Sequence, residues 1–358
     1  MSVRALLICL GLALSTPVHA QGFAGLGTSA EGFNISVPGK RFSFPADHGA
    51  HNDFRIEWWY VTANLQAADG TRYGIQWTLF RSALATGDAT GWASPQMWMG
   101  HAAITTSDRH HVAERFARGG IGQAGVTAAP FEARIDAWRM KSRAGANADA
   151  LSALDLSAAG ADFAFDLKLD SDRPLVAHGD GGYSVKSDKG QASYYYSQPF
   201  YRVMGELKLP GGPVTVTGQA WLDREWSSQP LSADQTGWDW FSLHFDSGEK
   251  LMGFRLRDGG AGFTSGTWIS ADGVAEPLKQ GSIAVTPLSN AVVAQRSLPL
   301  RWRVEVPGKR VDVTTEALNE NAWMATAFPY WEGPISFDGT KPGRGYLEMT
   351  GYMPTADR

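Results

Sequence analysis

Glu57-Trp58-Trp59-Tyr60-Val61-Thr62-Ala63-Asn64-Leu65 aligns without a gap with Gly237-Trp238-Asp239-Trp240-Phe241-Ser242-Leu243-His244-Phe245. Both stretches are dense in aromatic side chains, which fit a pleated, half-buried surface. Each passes through a polar, glycine-containing turn, Ala67-Ala68-Asp69-Gly70 or Asp246-Ser247-Gly248, into a second apolar run ending at Arg81 or Arg257. That order of signals predicts two matching hairpins. A second echo pairs Gly218-Gln219-Ala220-Trp221-Leu222-Asp223 with Gly343-Arg344-Gly345-Tyr346-Leu347-Glu348, and a third sets residues 201–205 against residues 329–333. Opening and closing elements that repeat in the same order predict two copies of one β unit, over residues 40–229 and 230–358.

Working outward, further strands are expected at residues 96–105, 131–140, 163–169, 193–196 and 214–221 in the first copy. In the second they are expected at 250–257, 266–270, 300–306, 311–317 and 345–351. Pro and Gly punctuate nearly all the joins. Short strands at this spacing favour antiparallel barrels, which remove sheet edges by closing, and eight to ten strands are expected in each. Residues 145–161, rich in Ala, Ser and Asp, are expected to form a loop with at most a helical turn. Fourteen Trp, seventeen Phe, ten Tyr and forty-one Gly among 358 residues fit the same all-β reading, and 43% hydrophobic against 19% charged residues argues for a folded globular chain.

The N-terminus carries Arg4, an apolar run over residues 5–14 and then Pro17-Val18-His19-Ala20, the pattern of a secretory signal cleaved after Ala20. The run is too short for a membrane span, which takes about 20 residues. A periplasmic or secreted location is therefore expected, with residues 21–39 as an N-terminal extension. The single cysteine, Cys9, lies in the leader, so the mature chain would have no disulfide, thiolate metal site or cysteine nucleophile. Loss of Arg4 would leave 31 basic against 36 acidic side chains, a charge of −5, which disfavours nucleic acid as a partner. Oligomeric state is not legible.

Several motifs together resemble the AttH and carotenoid-hydratase family of lipocalin-like proteins. They are Glu57-Trp58-Trp59-Tyr60, Gly100-His101-Ala102, Phe116-Ala117-Arg118-Gly119, Trp221-Leu222-Asp223-Arg224-Glu225-Trp226, Gly237-Trp238-Asp239-Trp240, Tyr330-Trp331-Glu332-Gly333 and Gly345-Tyr346-Leu347-Glu348. The resemblance spans residues 40–355 and implies two calycin-type barrels in tandem. It also implies a choice of roles, because the family holds hydratases of apolar polyenes alongside secreted proteins that accompany transport systems or carry a hydrolase label.

Hydrating an isolated alkene requires a carboxylic acid kept neutral until use and an apolar cavity whose aromatic faces stabilise the cation. Asp223 and Glu225 between Trp221 and Trp226, and Asp239 between Trp238 and Trp240, are acids in such surroundings, with His101 as a partner base. By resemblance the hydratase Asp matches Asp223 or Asp239. The same acids could instead accept an indole N–H or a turn amide in a structural bond. Glu57 could be a buried ion pair with Arg81 or Arg118. Trp59, Trp98, Trp221, Trp226, Trp238, Trp240, Tyr330 and Tyr346 are the candidate walls of a site for an elongated lipid or isoprenoid. That site is expected where the first repeat meets the second, with Asp223, Glu225 and Asp239 close in space. The rival readings are a noncatalytic carrier, an accessory of an ABC-type export system and a secreted hydrolase.

Other signals fail on context. Gly120-Ile121-Gly122-Gln123-Ala124-Gly125 has a dinucleotide spacing but neither the leading strand nor the following helix, so no cofactor is expected. There is no Gly-x-Ser-x-Gly elbow, and Ser227 has no evident base beside it. His110-His111 reads as a surface doublet, and His48 with His51 has no zinc spacing, so no metal is expected.

Overall fold

The computed structural model describes residues 30–87 and 89–354; the expected leader and cleavage site, with Cys9, lie outside them. Among the described residues there is no α-helix, only 23 strands and three short 3-10 turns. The first thirteen strands form one antiparallel sheet: β1 (Ile56–Ala67), β2 (Arg72–Ala83), β3 (Gln96–Thr105), β4 (His110–Arg118), β5 (Ala124–Ala128), β6 (Phe131–Ile135), β7 (Trp138–Ser142), β8 (Ala153–Ala159), β9 (Ala164–Asp170), β10 (Val176–Ala177), β11 (Tyr183–Val185), β12 (Ala192–Leu209) and β13 (Gly212–Ser227). The remaining ten form the second: β14 (Gly237–Phe245), β15 (Lys250–Arg257), β16 (Phe263–Ile269), β17 (Ala275–Leu278), β18 (Ala284–Val293), β19 (Arg296–Val306), β20 (Val311–Ala317), β21 (Trp323–Met324), β22 (Tyr330–Gly339) and β23 (Gly343–Met349).

The first sheet curls into a nearly closed barrel and the second into a half-barrel. The edges of the first sheet, β4 and β5, are not paired with each other, but β2, β3 and β4 come up against β6 across the interior. Gly100 permits that approach, since a Cβ there would stand 2.7 Å from Ile135 Cγ2. The first sheet exceeds the eight to ten strands expected, for two reasons. Residues 131–140 are two strands, because Asp136 takes φ 52° and turns the chain. Residues 145–161, expected as a loop, contain β8, in which Leu154, Leu156 and Ala158 are buried and alternate with half-buried neighbours.

The two opening hairpins share one register. Glu57 pairs with Arg81 and Tyr60 with Thr78, as Gly237 pairs with Arg257 and Trp240 with Phe254. The closing strands agree as well, with Tyr60 opposite Asp223 and Trp240 opposite Glu348. The third echo is displaced from its expected position. Ser197 faces Asp223 whereas Glu332 faces Glu348, so the counterpart of Tyr330-Trp331-Glu332 is Tyr195-Tyr196-Ser197, upstream of a bulge between Gln198 and Tyr201.

Period-two alternation sends Trp59, Val61, Ala63 and Leu65 into the first core and Phe241, Leu243 and Phe245 into the second. The same strands bury their outer faces too, because the sheets are packed against each other there. Tyr60, Tyr195, Trp221, Trp240, Phe254 and Tyr346 make this third apolar layer. Gly74 is needed for the contact, since a Cβ would meet Pro334 Cγ at 2.5 Å.

Candidate functional site

A cavity of about 190 Å³ opens in that layer, outside both barrel interiors. From the first sheet come Trp58 and Tyr60 of β1, Thr78 and Phe80 of β2, Met99 and His101 of β3, Tyr195 of β12, and Asp223 and Glu225 of β13. From the second come Trp238 and Trp240 of β14, Phe254 and Leu256 of β15, Tyr330 of β22 and Glu348 of β23. Phe328, 41% exposed, stands at the rim.

Asp223 is buried and meets only neutral donors. Its Oδ1 accepts from Trp221 Nε1 at 2.6 Å and from the Ser197 hydroxyl, and its Oδ2 accepts from the Tyr195 hydroxyl at 2.8 Å. Burial raises its pKa to about 7, aided by nearby Glu225, and the three donors restrain the rise. Glu225 is committed to Lys186 at 2.8 Å and to the Ser193 hydroxyl. Glu348 faces the cavity half-buried and accepts from Trp238 Nε1 at 2.8 Å. Burial, then the charges of Asp223 and Glu225, push its pKa upward. His101 is fully buried, with Nδ1 2.9 Å from the Tyr330 hydroxyl and Nε2 3.1 Å from Glu114 Oε1. Burial lowers its pKa, so the imidazole is neutral.

Alternation also explains which sequence candidates are kept apart. Asp239 lies between two cavity tryptophans and therefore points away from them, where it meets Arg257 at 2.5 Å and the Tyr352 hydroxyl at 2.9 Å. Trp59, Trp98 and Trp226 point into the first barrel. Trp221 and Tyr346 lie in the inter-sheet layer, where Trp221 binds Asp223. Of the eight aromatic candidates, Trp238, Trp240 and Tyr330 line the cavity. Asp223, Glu225 and His101 all border it.

Glu57 touches the cavity edge in a different state. Its carboxylate bonds Arg224 at 2.7 Å, Arg81 at 3.1 Å and His51 Nδ1 at 2.6 Å, while Arg118 is not among its partners. Burial would raise its pKa, but Arg224, His51 and Arg81 hold it well below the usual carboxylate range. The His110-His111 pair is not on the surface: His111 is buried against Asp162, and burial takes the His110 pKa down to about 3. Ser227 donates to the Ala192 carbonyl. No group of three His, Cys, Asp or Glu placed to hold a metal ion occurs among the described residues.

Tyr60, Lys186, Tyr195 and Glu348 escaped the sequence reading as site residues. The Glu348 signal was present, because the second echo matches Leu347-Glu348 to Leu222-Asp223. Two acids at one register of two packed copies face the same space.

A family model described as AttH-like matches residues 36–352. The crystal structure of an AttH protein from Nitrosomonas europaea superposes with a TM-score of 0.79 at 32% identity, covering 90% of this chain and 100% of that one. Kievitone hydratase from Nectria haematococca gives 0.65 at 16% identity over 90% and 98%. CghA with Sch210972 gives 0.51 at 11% identity over 83% and 88%. The last two show a shared fold. No curated protein matches the chain.

Proposed function

We propose, for a chain that belongs to the AttH-like family, that the inter-sheet cavity binds an apolar unsaturated ligand and that Asp223 adds or removes water there as a general acid. The observation that carries this reading is a buried carboxyl, held neutral by desolvation and oriented by three neutral donors, on the wall of a cavity lined by aromatic rings. The cavity is below the roughly 300–1,000 Å³ of drug-sized sites. It suits a compact ligand, or the reactive end of a longer one whose body passes Phe328.

In the forward direction the Asp223 O–H bond breaks and its proton joins one alkene carbon. The other carbon becomes a cation, stabilised by the faces of Trp58, Tyr60, Trp238 and Trp240. Water attacks that carbon, and its surplus proton returns to a carboxylate, Asp223 or Glu348. Dehydration runs the steps in reverse. The leader read in residues 1–20 would place this chemistry outside the cytoplasm, and a fold shared with a hydratase supports the reading.

The test begins with mass spectrometry of apolar material extracted from the natively purified protein, followed by incorporation of oxygen from labelled water into the ligand class found. Asp223→Asn should cut turnover by about 10²–10⁴-fold, the usual contribution of a positioned acid, with ligand retention intact. Retention without turnover in wild type would make the protein a carrier.

A further inference from the structure

A second set of polar side chains leaves the cavity by its opposite wall and reaches the surface. Glu332 and Glu348 are direct cross-strand partners on the outer face of the second sheet. Among the described residues no Lys or Arg forms an ion pair with either. They face the hydroxyls of Tyr60, Tyr330 and Tyr346, the Trp238 indole and, across the cavity, Asp223 and Glu225. Two adjacent anions, one of them fully buried and neither with a cation beside it, repel strongly, so the pair retains a proton. The Tyr60 hydroxyl, on the first sheet, donates to Glu332 Oε1 at 2.5 Å and also bonds Glu348. Glu332 Oε2 is buried without a partner.

From Glu332 the contacts continue outward. The Tyr330 hydroxyl lies beside the Glu332 carboxyl and 2.9 Å from His101 Nδ1, and His101 Nε2 lies 3.1 Å from Glu114, whose side chain is 22% exposed. Electrostatics give the chain a direction. Glu114 also accepts from the Ala327 amide, and its bonds hold it ionised, so His101 carries its proton on Nε2 and leaves Nδ1 free to accept from Tyr330.

The geometry points to a proton path from the Glu332–Glu348 pair through Tyr330 and His101 to Glu114 and bulk water, by which the protons of the cavity carboxyls exchange with solvent. Glu332 passes its proton to the Tyr330 oxygen, Tyr330 passes its own to His101 Nδ1, and the Nε2 proton goes to the Glu114 carboxylate. The Tyr330 oxygen gains one hydrogen and loses one, and the His101 ring gains one at Nδ1 and loses one at Nε2, so the imidazole ends as its other tautomer while Glu332 has given a proton and Glu114 has received one. The path crosses between the sheets at Tyr330 and His101, so it exists only when the two are packed. Its use rests on the acid–base reading of the cavity, but its existence can be measured without substrate.

Infrared spectroscopy follows the C=O stretch of protonated carboxyls, which shifts when O–H becomes O–D. Glu332→Gln and Glu348→Gln identify the band of the pair in the full-length protein. After mixing into deuterated buffer, Tyr330→Phe should slow the shift of that band by about a hundredfold, the order expected for losing a positioned proton-transfer group. Glu114→Gln should slow it less, and Asp162→Asn, at the unconnected His111 pair on the same strand, should leave it unchanged. A wild-type exchange rate in Tyr330→Phe, or no band lost in either Gln variant, overturns the path. Failure to hydrate any alkene would leave these rates where they are and would count against the proposed reaction alone.

Discussion

Two buried carboxyl centres border one cavity in opposite protonation states. Glu57 sits among Arg81, Arg224 and His51 and is held ionised. Asp223 has no cation beside it, only a tyrosine, a serine and an indole, and is held neutral until about pH 7. Desolvation is comparable at the two sites, so the difference comes from partner charge. Glu57 ties β1 to β2 and β13 at the end of the barrel, where the Arg224 guanidinium also lies 4.0 Å above the Trp59 ring. That is the architecture of a structural ion cluster. A carboxyl that is dry, neutral and turned to a cavity is the architecture of a proton donor.

The contrast is broken most severely at the ion cluster. Glu57→Gln leaves two buried guanidinium groups undercompensated and should cost about 3–5 kcal/mol in denaturant unfolding. Asp223→Asn should cost far less. Oδ1 keeps the serine and indole protons, the amide has nearly the shape of the acid, and only the bond from the Tyr195 hydroxyl at the Oδ2 position is disturbed. Equal losses in the two variants would remove the distinction.

The pH dependence of stability sharpens the comparison at the next level. The folded pKa of Asp223, about 7, lies above its unfolded value near 3.9, so its stabilising contribution is full below about pH 4 and lost as pH rises to about 7. The slope from this group is at most about 1.4 kcal/mol per pH unit. Glu57, depressed, acts in the opposite sense: its contribution is present above its unfolded value near 4.3 and lost as pH falls. Thermal unfolding from pH 4 to 8 should show a decline toward neutrality that flattens in Asp223→Asn. An unchanged slope would mean that Asp223 is ionised throughout.

The smallest effect is expected from Tyr195→Phe, at about 1 kcal/mol of stability for one lost hydrogen bond. Tyr195 donates to Asp223 and accepts from Trp240 Nε1 at 3.2 Å. Removing a donor that favours the ionised acid should move the alkaline limb of any activity profile upward. A downward movement would show that Tyr195 serves the neutral acid instead.

Much of the polar wall of the cavity was legible because of chemical type. Asp223, Glu225 and His101 stood out as acids and a histidine among aromatics, and the paired hairpins located the junction. Gln96–Thr105, Lys250–Arg257 and Val311–Ala317 were readable to the residue, the last from its clean alternation and the first two as apolar runs between punctuating turns. Ala153–Ala159 was not, because its short alternation of Leu154, Leu156 and Ala158 lies in a stretch otherwise rich in alanine, serine and aspartate. The third echo was misplaced because a bulge shifts the pairing between Gln198 and Tyr201, and nothing local in the chain marks it.

By itself the sequence determined the all-β class, the repeated hairpin and the presence of acids beside tryptophans, since these depend on alternation, turn chemistry and residue type. Tertiary structure decided what each acid is. Trp238, Asp239 and Trp240 are neighbours in the chain, yet the pleat turns the aspartate to Arg257 and the tryptophans to the cavity. Asp223 and Glu348 are far apart in the chain, yet packing two similar outer faces together gives them one cavity. Protonation follows from desolvation and from which charges lie within a few ångströms, and only the packed sheets set those distances.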